Sequence, residues 1–169
     1  MVSEQHPLGF FLPENTKLLM LGSFPPPRAR WSMNFYYPNI QNDMWRILGL
    51  IFYNDKEYFL ETKKAFSEEK AKAFCREKGI GIGDTAVEII RLKNNASDNF
   101  LQVVTPLNPA EVLAQIPECE AIVVTGQKAM DTLIAMLPPV EEPKVGSYSR
   151  FTLSDRIFRL YRMPSSSRA

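Results

Sequence analysis

The sequence predicts an α/β fold whose mostly parallel sheet is covered by helices on both faces. Three observations carry that expectation. Leu18-Leu19-Met20-Leu21, within a strand over 17–22, is a short apolar run stopped by Gly22. Ala121-Ile122-Val123-Val124-Thr125 is a second such run, turned by Gly126 directly into a helical stretch over 127–137. Between and around them, strand-like runs alternate with helical stretches, the pattern of a sheet whose crossovers lie on its faces.

The remaining elements follow in order. Residues 23–41 form a long loop with Pro25-Pro26-Pro27, Pro38 and the aromatics Trp31, Phe35, Tyr36 and Tyr37. Loops of this length are functional or disordered, and the aromatic content argues against disorder. Over 43–53, Met44, Trp45, Ile47, Leu48, Ile51 and Phe52 recur at helical spacing, with Asn42 at the N-cap and Asp43 in the first turn. The spacing puts Trp45 on the core face, while Trp31 reads as an exposed loop anchor. A helix over 56–78, rich in Lys, Glu and Ala, ends at Gly79 as its C-cap. Gly79-Ile80-Gly81-Ile82-Gly83-Asp84 lacks the G-x-G-x-x-G spacing of a dinucleotide site, so it reads as a tight connection into a helix or strand around 85–92. A strand at 101–105 ends at Pro106, and Asn108-Pro109 opens a helix over 110–116. After a Pro-rich connection at 138–148, two β-rich runs, 149–153 and 157–162, are separated by Ser154-Asp155.

Size and composition bound the function. At 169 residues the chain is expected to form one domain, 1–169. No apolar run approaches the ~20 residues that cross a bilayer. The N-terminus lacks the basic head and apolar core of a secretory signal, so no membrane partner and a cytoplasmic location are expected. Cys75 and Cys119 are too few for a disulfide framework or a four-cysteine metal site. The single histidine, His6, falls near the N-terminus, which sets aside histidine-based triads and zinc sites.

Two loops stand out because each leaves the end of an apolar strand: Gly22-Ser23-Phe24-Pro25-Pro26-Pro27 and Met163-Pro164-Ser165-Ser166-Ser167-Arg168. Open α/β sheets bind ligands beyond the carboxyl ends of their strands, so these stiff Ser/Pro-rich turns are expected to frame a single site. The net charge is +1, yet residues 143–169 carry six cations against one anion, and Arg28 and Arg30 flank the first loop. The plain reading is a solvated hairpin face; the functional one is a phosphate-bearing ligand.

Leu21-Gly22-Ser23-Phe24-Pro25, then Phe35-Tyr36-Tyr37, then Asn42 and Trp45, resemble the first motif of the uracil-DNA glycosylase superfamily. The nearest likeness is to its hypoxanthine (deoxyinosine) DNA glycosylase and mismatch-specific uracil glycosylase-like branch. Met163-Pro164-Ser165-Ser166-Ser167-Arg168-Ala169 is similar to that branch's second motif, and Ile122-Val123-Val124-Thr125-Gly126-Gln127-Lys128-Ala129 to its penultimate strand–glycine–helix unit. The resemblance implies a three-layer α/β/α sandwich with a central four-stranded, mostly parallel sheet. It further implies a monomer that hydrolyses the N-glycosidic bond of a deaminated base in DNA, uracil, hypoxanthine or both, with no metal and no cofactor. Such enzymes extrude the nucleotide because the scissile bond is inaccessible inside the base stack. The family continues into a helix after the second motif, so a chain ending at Ala169 is expected to be a shortened form.

Where many relatives carry a water-holding Asp or Asn, this chain has Phe24; where they carry a histidine, it has Met163. The resemblance then assigns the water to Asn42, with helix capping as that residue's competing role and Asp43 and Asn39 as alternatives. Gly22 and Ser23 supply backbone donors to the base, and one of Phe24, Phe35, Tyr36 and Tyr37 stacks on it. Asp84 or Asn99 reads its edge. Ser165, Ser166 and Ser167 hold phosphates, and Arg168 stands at the lesion or a phosphate. No lysine is placed as a Schiff-base nucleophile, so no strand-cleaving step is expected. A non-catalytic nucleic-acid or nucleotide-binding module on the same fold is the alternative reading.

Overall fold

The computed structural model describes residues 2–95 and 97–168. β1 (Ser3–Gln5) and β2 (Leu18–Gly22) come first, and α1 (Met44–Tyr53) follows the long loop. A hairpin of β3 (Leu60–Thr62) and β4 (Ala65–Phe66) leads to α2 (Glu68–Lys78), β5 (Ile80–Asp84) and β6 (Ala86–Arg91). Then come β7 (Leu101–Pro106), α3 (Pro109–Ala114), β8 (Ala121–Thr125), α4 (Gln127–Ile134), β9 (Tyr148–Leu153) and β10 (Arg156–Met163).

The main sheet has the order β5-β2-β8-β10-β9, parallel except for the antiparallel edge β9. It is the expected three-layer sandwich with one strand more than the four anticipated. Ser154 and Asp155 join β9 to β10, both at positive φ (53° and 61°), as a two-residue hairpin requires. Alternation within single strands assigns the faces. Leu19, Leu21, Ile122 and Val124 point to α3 and α4, where Val112, Leu113, Met130 and Leu133 close the core. Met20, Ile80 and Ile82 point to α1 and α2, against Trp45, Leu48, Phe74 and Cys75.

Two sequence expectations need correction. The helix over 56–78 starts only at Glu68: Ser67 Oγ accepts from the Lys70 N–H at 3.2 Å, and the residues before it form the β3–β4 hairpin. Gly79, at φ 69°, ends that helix as anticipated. The stretch after Gly79 is β5, a fully buried strand of the main sheet, not a connection. Gly81 and Gly83 are there because the N-terminal segment lies flat on β5: a Cβ at Gly83 would collide with the Phe10 ring, and one at Gly81 would press Thr16 and Leu12.

A second, antiparallel sheet, β1-β6-β7, stands beside the first. The run read as a strand at 101–105 belongs here. Phe24, Ala86, Ile89 and Leu101 form its small core. Among the described residues, no helix is long and apolar enough to cross a membrane, and no group of three His, Cys, Asp or Glu could hold a metal ion.

Candidate functional site

The chain leaves β2 toward β5 on one side and later returns to β8 on the other, so the strand order reverses between β2 and β8. Such a reversal opens a crevice beyond the carboxyl ends of the strands. A cleft lies there. Its walls include Gly22, Ser23 and Phe24 from the first loop, Tyr36, Tyr37 and Asn39 from the aromatic loop, Asn42 at the mouth of α1, and Ser165, Ser166 and Ser167. Asp84, Asp98 and Thr125 complete it. The two Ser/Pro-rich turns do frame one site.

Asn42 joins them. Its Oδ1 accepts from the Met44 N–H at 2.9 Å and from Ser166 Oγ at 2.8 Å. The residue therefore caps the helix and clasps the second loop with one oxygen, leaving its amide nitrogen as the group able to donate elsewhere. The N-cap position itself is Asp43, one residue later than the sequence reading, and its side chain makes no capping bond. The backbone repeats the clasp: the Asp43 N–H donates to Ser166 O at 2.9 Å, and the Arg168 N–H to Gln41 O at 3.1 Å.

Asp43 does not line the cleft. Arg168 holds it with contacts of 2.6 and 3.1 Å, and Arg46 approaches at 3.2 Å. The Arg168 guanidinium, first, holds the Asp43 carboxyl below the ordinary carboxylate range. In this structure Arg168 is committed to Asp43 and not to the cleft. Because the folded pKa is depressed, the clasp persists above the ordinary Asp range and is lost as pH falls through the lowered value. Hydrogen exchange of the Arg168 amide should therefore stay slow until pH drops below about 4; an amide already unprotected at pH 5 contradicts the assignment. Ala169, the last residue of the second motif, lies outside the described residues.

The aromatic loop is fixed from beneath. Trp45 is fully buried, and its indole N–H donates to Tyr36 O at 2.9 Å. Ser32 Oγ closes the loop base on Pro38 O at 2.7 Å. Tyr36 is buried and donates to Gly9 O at 2.8 Å, so its ring is a wall and not a free platform. Tyr37 has φ 52°, an uncommon left-handed conformation for an aromatic residue, and its hydroxyl is buried facing Thr125. Burial pushes the pKa of both tyrosines up. Phe24 lines the cleft while packing into the side-sheet core; Phe35 is buried beside Trp45 and does not line it. Trp31 is not a free anchor: it donates to Pro26 O at 2.8 Å under the Arg28 guanidinium.

Groups in the cleft and directly behind it escaped the sequence reading. His6 is not a bystander: β1 pairs with β6 and delivers its ring to Asp84, with Nε2 and Oδ2 2.7 Å apart. Its Nδ1 sits 3.1 Å from both the backbone nitrogen and the carbonyl oxygen of Leu8, so either tautomer finds a partner. The ring packs edge-on against Phe24 at 5.1 Å. Gly22 leaves room for this pair, since a Cβ there would stand 2.9 Å from Asp84 Oδ1. Asp98, in a single 3-10 turn before β7, accepts from Ser23 Oγ at 2.6 Å; burial, first, raises its pKa. Nothing in the local pattern separated His6 or Asp98 from solvent residues, because tertiary pairing alone brings them in. Asn99 does not line the cleft, and Met163 is an exposed strand end.

Some of the basic C-terminal surplus is structural. Arg156 donates to Leu113, Ile116 and Cys119 carbonyls at 2.7–2.9 Å, and Arg162 pairs with Glu142 at 3.3 Å.

No protein-family model and no curated protein matches this chain. Among solved structures, it is similar to the solution NMR structure of a Methanosarcina acetivorans protein described as a "putative Uracil DNA glycosylase". The two are 22% identical with a TM-score of 0.64, over 98% of this chain and 86% of the other. That likeness establishes a shared fold.

Proposed function

We propose that this chain is a monofunctional DNA glycosylase of the uracil-DNA glycosylase superfamily, in its hypoxanthine glycosylase-like branch. It would act as a single-domain cytoplasmic monomer on DNA containing a deaminated base, hydrolysing the N-glycosidic bond of uracil or hypoxanthine. One observation carries the reading: the Asn42 carboxamide lies at a helix mouth, clasped by the second turn, in a cleft that the first turn also lines.

The chemistry needs an extruded nucleotide, an aimed water, donors for the leaving base and tolerance of positive charge on the sugar. The Asn42 amide nitrogen orients the water, an effect of position and not of basicity. Tyr37 and Phe24 bound the base, with Gly22 and Ser23 amides toward its oxygen. Asp84, held by His6, accepts an N–H from the base edge, a group that uracil and hypoxanthine both carry. The carboxylates of Asp84 and Asp98 favour an oxocarbenium-like sugar. Ser165, Ser166 and Ser167 take phosphates beside the cleft, and Arg168 joins them by exchanging Asp43 for a phosphate.

A duplex with one deoxyuridine or one deoxyinosine tests this directly. The expected result is free base and an intact abasic strand. Binding that falls with salt but releases no base would instead identify a non-catalytic nucleic-acid module.

A further inference from the structure

Resting on the glycosylase reading, we infer that Asp98 is the catalytic group that accepts the proton of the attacking water, in partnership with Asn42. Asn42 cannot do this itself. An amide is not a base at neutral pH, and its oxygen already accepts two hydrogen bonds, from Met44 and Ser166. Among the described residues, two carboxylates line the cleft, and they differ in their commitments. Asp84 is engaged by the His6 ring, buried with 6% of its surface exposed. Among the described residues, Asp98 accepts a side-chain hydrogen bond from the Ser23 hydroxyl alone, through Oδ1. Its Oδ2 lies at the end of β8: a Cβ built on Gly126 would stand 3.8 Å from that oxygen and 3.6 Å from Ser165 Cβ. Gly126 itself has φ 90°, so this space stays open for backbone reasons as well. Asp98 thus faces the crevice where the first loop, the β8 end and the second loop converge, and Asn42 faces it from the wall clasped by the neighbouring Ser166.

The step balances. The water oxygen bonds to C1′, the C1′–N bond breaks with its pair leaving on the base, and the water's proton passes to the Asp98 carboxylate. That proton then returns to solvent or to the departed base. Partial burial favours a carboxylate willing to accept a proton. The charged groups bearing on it are Asp84 from β5, which opposes its ionisation, and Lys128 from α4 and Arg91 from β6, which favour it. Ser23 favours the ionised form too.

The experiment is single-turnover base release by the full chain across pH 4 to 8, on the deoxyuridine and deoxyinosine duplexes. Affinity is read in parallel with an uncleavable 2′-fluoro analogue of each lesion. The wild-type rate should rise with pH as Asp98 ionises. D98N should be about a hundredfold slower or more and lose that rise, with analogue affinity nearly unchanged. S23A, which removes the bond favouring ionisation, should move the rise to higher pH, a displacement that a merely structural role would not produce. A D98N rate within threefold of wild type, or a rise that survives D98N, overturns the inference while leaving the glycosylase reading intact. No base release by wild type overturns the glycosylase reading, and this inference with it. Should D98N not fold, the wild-type and S23A profiles decide: no rise, or no displacement, overturns it.

Discussion

Asn42→Ala should reduce base release by about two to three orders of magnitude while leaving affinity for an uncleavable lesion duplex within a few fold. The variant removes the amide that aims water and the oxygen that accepts from Met44 and Ser166. Lost capping should cost about 1 kcal/mol of stability, too little to unfold the chain. Asn42→Asp keeps an acceptor for both donors at a helix N-terminus, where negative charge is favoured. It should therefore restore the cap and the clasp. If Asn42→Ala turns over at the wild-type rate, Asn42 is only a cap and the water has another holder. The comparison is made by single-turnover kinetics alongside thermal melting.

Trp45→Ala should be the most destabilising single change near the site, by about 3–5 kcal/mol. The indole is fully buried, with Phe59 5.1 Å and Phe35 6.1 Å from it, centroid to centroid. For a chain of this size the melting temperature should fall by roughly 10 °C or more. Trp45→Phe separates packing from hydrogen bonding. It keeps an aromatic ring but leaves the Tyr36 carbonyl without its donor, at a smaller cost of about 1–3 kcal/mol. Because that carbonyl ties down the loop bearing Tyr37, Trp45→Phe should also slow base release more than it lowers stability. A melting temperature unchanged in Trp45→Ala would contradict the packing described.

Much of the fold was legible because its strongest local signals were honest ones. β2 and β8 are short apolar runs each closed by a glycine, and the sheet places them side by side. The Gly79 cap and the Asn108-Pro109 helix start also stand where their chemistry requires. β5 was hidden because Gly81 and Gly83 weaken the strand signal, and the reason for them, Phe10 and Leu12 lying across the strand, is a tertiary contact. The helix over 56–78 was extended through a polar stretch whose charges suit a helix face and a hairpin equally.

The candidate site divides in the same way. Gly22, Ser23, Phe24, Tyr36, Tyr37, Asn42 and the three serines of the second loop meet in one cleft, as the two motif-bearing turns implied. His6 and Asp98 were not legible: one follows directly on a three-residue edge strand and the other sits on a single 3-10 turn. Arg168, read as a ligand group, is paired in this structure with Asp43, 125 residues away in sequence.

A crystal structure of the full chain with a duplex bearing 2′-fluoro-deoxyinosine or 2′-fluoro-deoxyuridine tests the central claim most directly. The base is expected extruded into the cleft between Gly22–Phe24 and Tyr37, its N–H toward Asp84, with a water on C1′ within reach of Asn42 and Asp98. A lesion base still stacked in the duplex, or seated away from both turns, would contradict it.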